Sequence, residues 1–276
     1  MRDRRECARR LVAYTGGALA WASSRSGPAY ALVVPADGSF GVEPLGITVV
    51  VHGTLRHTHS DRTRVELATL ANEQRRVLLF PLFPVDPYTP DGIHNYKLLD
   101  HGGLRYDLVL LDLVEEVAAL WGLRADRFLL HGFSGGAQFA HRFLYLHPHR
   151  LEGVCVAAPG RVTLLDGSLP WPHGIADARD RFGVTPDLAA LRQVPVRILV
   201  GSSDVATEQL AAVSTGAAAE WEARTGRNRL ERAHTLASHL REHGVAVTLE
   251  VVDGPAHDEA AMLPAITRAL RGLDHV

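Results

Sequence analysis

The stretch FLLHGFSGGAQFAHRF, residues 128–143, sets Ser134 among glycines at the end of an apolar run. Gly132-Phe133-Ser134-Gly135-Gly136 fits G-x-S-x-G, with a strand pattern before it and the helical pattern AQFAHRFLYL after it. In a strand-to-helix elbow of this kind the serine takes a strained backbone conformation, so its neighbours must be small, and Gly132, Gly135 and Gly136 are. The hydroxyl then stands clear of the sheet at the positive end of the following helix, where a developing oxyanion is stabilised. The competing reading is a helix N-cap serine, which uses the same residue type for a purely structural bond.

A serine hydroxyl becomes a useful nucleophile only when an imidazole takes its proton, and that imidazole needs a carboxylate to fix its tautomer. The sequence offers both downstream, at strand ends. VRILVGSSDVATE ends a strand at Asp204, and VTLEVVDGPAHDEA places His257 just before the last helical pattern. Each has a plainer alternative, Asp204 as a helix N-cap and His257 as one of 15 histidines that happens to lie in a turn. Glu208 and Asp258 are the reserve acids. The first lies a helical turn beyond the strand end, and the second adjoins His257, where its side chain would diverge. The fourth part is a pair of N–H donors. ITVVVHGTLRH ends an early strand at His52-Gly53-Thr54, so Thr54, with Leu55 as second choice, and Gly135 are the expected donors to an oxyanion. By itself "HG" is only a strand-ending turn.

These residues need a rigid frame. Short apolar runs, YALVVP, GITVVVHG, RRVLLFPLF, DRFLLHGF, GVCVAAPG, VRILVGSSD and VTLEVVDG, alternate with helical patterns over 61–74, 106–122, 134–147, 228–243 and 258–271. Several runs are apolar almost throughout, as parallel strands buried on both faces are. The expected fold is α/β: one domain over 1–276, with a doubly wound, mostly parallel sheet of about eight strands. Two segments break the rhythm. Residues 81–103 are rich in Pro and Gly, and long aperiodic loops in compact domains tend to be functional. Residues 160–190 read as a short cap insertion, with Trp171 as either its core anchor or a wall of the substrate pocket; Tyr88 and Tyr96 pose the same choice. Phe133 and Leu55 are the other expected pocket residues.

VVHGT, HGFSGGA, VGSSD and GPAH together resemble the α/β-hydrolase superfamily, over about residues 29–271. The short "HG" loop and the GFSGGA elbow are similar to those of esterases of the dienelactone-hydrolase and polyhydroxyalkanoate-depolymerase kind. The resemblance implies acyl transfer to water. In it Ser134 attacks an ester-like carbonyl, His257 shuttles the proton, Asp204 orients His257, and Thr54 and Gly135 hold the oxyanion. Phe133 departs from the frequent polar residue before the serine, which bears on the pocket rather than on the triad. The same constellation serves an acyltransferase, or a hydrolase-fold protein that binds a ligand without catalysis.

The rest of the chain narrows the choice. A net charge of -2 provides no basic stripe, which argues against nucleic acid as a partner. Lys97 is the only lysine, which reads as compositional bias rather than mechanism. Cys7 and Cys155 allow at most one bridge, and no disulfide framework. HTHSDR, residues 57–62, approaches the H-x-H-x-D-H pattern of dinuclear zinc hydrolases, but Arg62 stands where the last ligand would be and would repel the cation. The loop with Ser60 or Asp61 capping the next helix is the favoured reading, with no metal. GFSGGA lacks the spacing of a dinucleotide fingerprint, so no cofactor is expected. Residues 1–24 combine a basic start with a short apolar segment, as a signal peptide does. Asp3, Glu6, Gly16 and Gly17 interrupt that pattern, and an N-terminal helix in a cytoplasmic protein is expected, with export as the alternative. No run reaches the roughly 18 apolar residues of a membrane span. The expected partner is a small ester-like molecule, with homo-oligomerisation left open.

Overall fold

A computed structural model describes residues 17–21, 29–35, 44–56, 61–89, 92–207 and 217–274, with the side chains of 17–21, 61–65 and 217–219 left aside. Its strands are β1 (Gly17–Trp21), β2 (Ala29–Val33), β3 (Gly46–Val51), β4 (Arg76–Leu82), β5 (Asp100–His101), β6 (Leu104–Arg105), β7 (Phe128–Phe133), β8 (Leu151–Ala157), β9 (Val196–Gly201) and β10 (Val247–Val252). The helices are α1 (Asp61–Gln74), α2 (Tyr106–Trp121), α3 (Gly135–Leu146), α4 (Ala178–Phe182), α5 (Leu188–Leu191), α6 (Ala217–Thr225), α7 (Arg229–Glu242) and α8 (Glu259–Arg271). Eight strands form one sheet in the order β1-β2-β4-β3-β7-β8-β9-β10, and β5 pairs with β6 in a small separate ribbon. From β4 to β10 every neighbouring pair is parallel, while β2 runs antiparallel to both β1 and β4.

Both faces of the sheet are covered, which is why its central strands are apolar at nearly every position. Ile47, Val49 and Val51 of β3, and Val154 and Val156 of β8, point into a large core shared with α2, α3 and α7. Their sequence neighbours Val50, Cys155 and Ala157 point the other way, into a smaller core closed by Leu67 and Leu70 of α1 and by Met262 and Ile266 of α8. The period-two alternation of Cβ directions thus divides each strand between two cores. All residues of α3 are buried, because the segment around Tyr96 packs on the side of this helix turned away from the sheet. That accounts for Gln138, His141 and Arg142 lying inside the protein on a helix whose polar residues would ordinarily face water.

Two expectations are corrected. Residues 17–21 form the antiparallel edge strand β1 rather than a helix, paired with β2 from Gly17 opposite Val33 to Trp21 opposite Ala29. Residues 1–16 lie outside the described residues. The aperiodic segment 81–103 contains a 3-10 helix, Gly92–Leu98, with Asn95, Tyr96 and Lys97 buried. No helix among the described residues is long and apolar enough to cross a membrane.

Candidate active site

The end of β7 and the start of α3 meet at Ser134, whose backbone lies at φ 54° and ψ -106°. A non-glycine residue in that region costs on the order of 1–3 kcal/mol and persists only where its surroundings over-determine it. Here they do. The Ser134 amide donates to Ala157 O at 2.8 Å, tying the elbow to the end of β8. Gly136 lets α3 approach β3 so closely that a Cβ there would overlap the Val51 carbonyl oxygen. The Ser134 side chain makes no capping bond to α3, which removes the N-cap reading. Its hydroxyl instead donates to His257 Nε2 at 2.9 Å.

His257 lies between β10 and α8, and its Nδ1–H donates to Asp204 Oδ2 at 2.8 Å. Asp204 follows β9, and its carboxylate is wholly buried. The two turns are bound together by the Ser202 amide on Val252 O at 2.8 Å and the Ser203 amide on Pro255 O at 3.1 Å. Parallel pairing of β9 with β10 therefore sets where acid and imidazole meet. The second carboxylate oxygen accepts from Arg229 Nη1 at 3.2 Å, at the start of α7. The Phe133 ring stacks on the His257 ring with centroids 4.9 Å apart, which restricts how the imidazole can turn. Of the reserve acids, Asp258 caps α8 by accepting from Ala260 N and Ala261 N, and Glu208 lies outside the described residues.

The third approach to Ser134 comes from the end of β3. A Cβ on Gly135 would lie 2.8 Å from Thr54 N and 2.5 Å from the Tyr96 hydroxyl, so only a glycine permits this closeness. The Gly135 amide belongs to the first turn of α3, where N–H groups have no partner within the helix. The Tyr96 hydroxyl donates to His52 O at 2.9 Å, and His52 Nε2 accepts from Phe83 N at 3.1 Å, holding the loop before Thr54 in place. Burial drives His52 down to about 4, so this imidazole is neutral at ordinary pH. Leu55 is exposed at the rim.

Ser134, His257, Gly53, Thr54, Leu55 and Phe133 line a cleft of about 780 Å³. Trp171 does not: it is 5% exposed, donates through Nε1 to Leu98 O at 2.8 Å and packs edge-on against Phe182. It anchors the segment 160–190 in the core, because its indole N–H finds a carbonyl there, and its neighbours Pro172 and His173 line the cleft instead. Tyr96 is buried in the core, and Tyr88 is 93% exposed.

The cleft also holds side chains that no motif announced. Lys97 lines it, so the only lysine is placed at the site, and Arg142 and Arg161 line it too. Burial, then the Arg142 and Arg161 charges, lowers Lys97 to about 7. Burial, reinforced by Arg161, lowers Arg142 to about 9. Glu259 is raised to about 7, first by burial and then by Asp258. The only advance signal was the oddity of a single lysine within an aperiodic, Pro- and Gly-rich segment.

Three further histidines near the elbow make structural bonds, His131 and His141 buried and His147 half-buried. His131 Nδ1–H donates to Cys155 O at 3.1 Å, and His141 Nδ1–H donates to Ala137 O at 2.8 Å while its Nε2 accepts from Thr163 N. His147 Nε2 pairs at 2.7 Å with Asp107, which sits in the first turn of α2. Residues 57–60 of HTHSDR lie outside the described residues, as do the side chains of Asp61 and Arg62.

No family model and no curated protein sequence matches the chain. Solved structures do. Poly(aspartic acid) hydrolase-1 from Sphingomonas sp. KT-1 superposes with a TM-score of 0.71 at 23% identity, covering 92% of this chain and 97% of that one. A poly(3-hydroxybutyrate) depolymerase from Bordetella parapertussis gives 0.71 at 21% identity, over 98% and 95%. An S-formylglutathione hydrolase from Agrobacterium tumefaciens gives 0.60 at 16% identity, over 94% of each chain. The chain has the α/β-hydrolase fold.

Proposed function

We propose that the protein is a serine hydrolase that cleaves a carboxylic ester through an acyl-enzyme on Ser134. One observation carries the reading. A carboxylate, an imidazole and a hydroxyl from three separate strand ends stand in one hydrogen-bonded row, 2.8 and 2.9 Å per link, at the wall of a cleft. The similar folds include proteins named as hydrolases of polyesters and thioesters and of a polyamide, all of which transfer an acyl group to water.

The chemistry follows from the row. His257 Nε2 takes the Ser134 proton as Oγ forms a bond to the carbonyl carbon, and Asp204 stabilises the imidazolium and keeps Nδ1 as the donor. The negative charge that moves onto the carbonyl oxygen is met by the Thr54 and Gly135 amides, the second reinforced by the N-terminal end of α3. His257 Nε2–H then protonates the alkoxide as the carbon–oxygen bond breaks, which leaves Ser134 acylated. A water molecule, deprotonated by His257, repeats the attack and frees the acid.

The test is turnover of a short p-nitrophenyl ester panel by the intact protein, Ser134→Ala and His257→Ala, each with and without a chelator. The reading expects turnover that both substitutions abolish and the chelator leaves intact. Equal turnover by intact protein and Ser134→Ala would remove the nucleophile, and loss with the chelator alone would point to a metal.

A further inference from the structure

Several buried or half-buried arginines are matched with carboxylates, Arg76 with Asp274, Arg105 with Asp107, Arg229 with Asp204 and Arg232 with Glu222, while Arg56 and Arg197 bond to uncharged oxygens. In the cleft Arg229 is matched in this way, but three further cations are not. Lys97, from the 3-10 helix, Arg142, from α3, and Arg161, beyond β8, all line it, and none forms an ion pair among the described residues. Lys97 and Arg142 are 4% and 1% exposed, so water does little to screen them. They are held by side-chain groups other than carboxylates, Lys97 Nζ donating to His94 Nδ1 at 2.5 Å and to Thr54 Oγ1 at 3.0 Å, and Arg142 Nε to Thr163 Oγ1 at 2.8 Å. Arg161 makes no hydrogen bond at all among the described residues.

Like charges gathered in a poorly solvated place repel one another, and a counter-ion relieves the strain. The protein's own carboxylates on the lining do not serve. Asp258 is occupied in capping α8, and neither it nor Glu259 pairs with these cations. The bond from Lys97 to Thr54 puts the positive region next to the residue whose amide faces the reacting carbonyl. An anionic group a few bonds from that carbonyl would reach it.

We infer that the cleft selects esters carrying a carboxylate on the acyl or alcohol portion, bound by Arg161 and Lys97 with Arg142 behind them. This rests on the hydrolase reading above. Arg161 supplies the planar, two-pronged donor that suits a carboxylate, and it is free to do so.

Matched esters test it: mono-p-nitrophenyl adipate against its methyl ester for the acyl side, and p-acetoxybenzoate against its methyl ester for the alcohol side. The quantity read is the ratio of kcat/KM, charged over neutral. It is expected to exceed one in at least one pair, and to fall about ten- to a hundredfold in Arg161→Ala and in Lys97→Met, the worth of a charge-assisted hydrogen bond. Arg161→Lys should keep part of the preference. A ratio at or below one in both pairs, or a preference that survives both substitutions, overturns the inference. Turnover of the neutral esters tests the hydrolase reading separately. Should no ester be turned over, titration calorimetry with monomethyl adipate still decides. Saturable binding weakened by Arg161→Ala upholds the anion subsite, and absent or unaffected binding refutes it.

Discussion

Two parts of the cleft treat polar groups in contrary ways. Around the elbow each one has its partner: Arg229 on Asp204, Asp204 on His257, His257 on Ser134. Around Lys97, Arg142 and Arg161 the hydrogen bonds go to hydroxyl and carbonyl oxygens and to the His94 imidazole or, for Arg161, nowhere among the described residues, and no carboxylate meets the charge. A reacting row has to be fixed before substrate arrives, so its bonding capacity is used up within the protein. A recognition surface works by the opposite rule, since only capacity left unspent can be offered to a ligand.

The contrast can be broken first at its most ordered point. Asp204→Asn should lower kcat for a neutral p-nitrophenyl ester by about 10⁴-fold, because the amide favours the wrong imidazole tautomer. A loss under about tenfold would mean that the row is not what orients His257. Next comes the backbone beneath it. Gly136→Ala forces a methyl group against the Val51 carbonyl oxygen and should destabilise the fold by about 3 kcal/mol, read from denaturant midpoints. An unchanged midpoint would show that α3 has room the structure denies it.

A smaller effect is expected one step out. Arg229→Gln removes the charged donor on Asp204 Oδ1 and should cost about tenfold in kcat with little change in KM, as a positioning residue does. A pure KM effect would instead assign Arg229 to substrate. The smallest expected effect concerns His131, inside β7 just before the elbow. Burial lowers it to about 4 from 6.5, so the folded state keeps it neutral while the unfolded chain takes up a proton as pH falls below 6.5. Stability should therefore decline as pH drops from about 6.5 towards about 4, and His131→Asn should flatten that slope by up to about 1.4 kcal/mol per pH unit. Parallel curves for the two proteins would contradict the assignment.

What could be read in advance was whatever is written locally. The apolar runs and the glycines about Ser134 state their own geometry, because strand burial and close backbone approach demand particular residue types at adjacent positions. β1 was hidden, since GALAW shows no alternation and becomes a strand only by pairing with β2. Trp171 could not be assigned from sequence, because its role depends on Leu98 O, which lies 73 residues away in the chain. The cationic group was invisible for the same reason. Lys97, Arg142 and Arg161 sit on three separate segments, and Arg142 lies on a helix whose complete burial depends on the Tyr96 segment covering it.

The central claim is that Ser134 is the nucleophile, and covalent labelling tests it most directly. The protein is treated with a fluorophosphonate, weighed intact, digested, and the modified peptide sequenced. A single phosphonyl adduct on Ser134, absent from Ser134→Ala, is the expected result. Equal labelling of both proteins, or an adduct on any other residue alone, would contradict it.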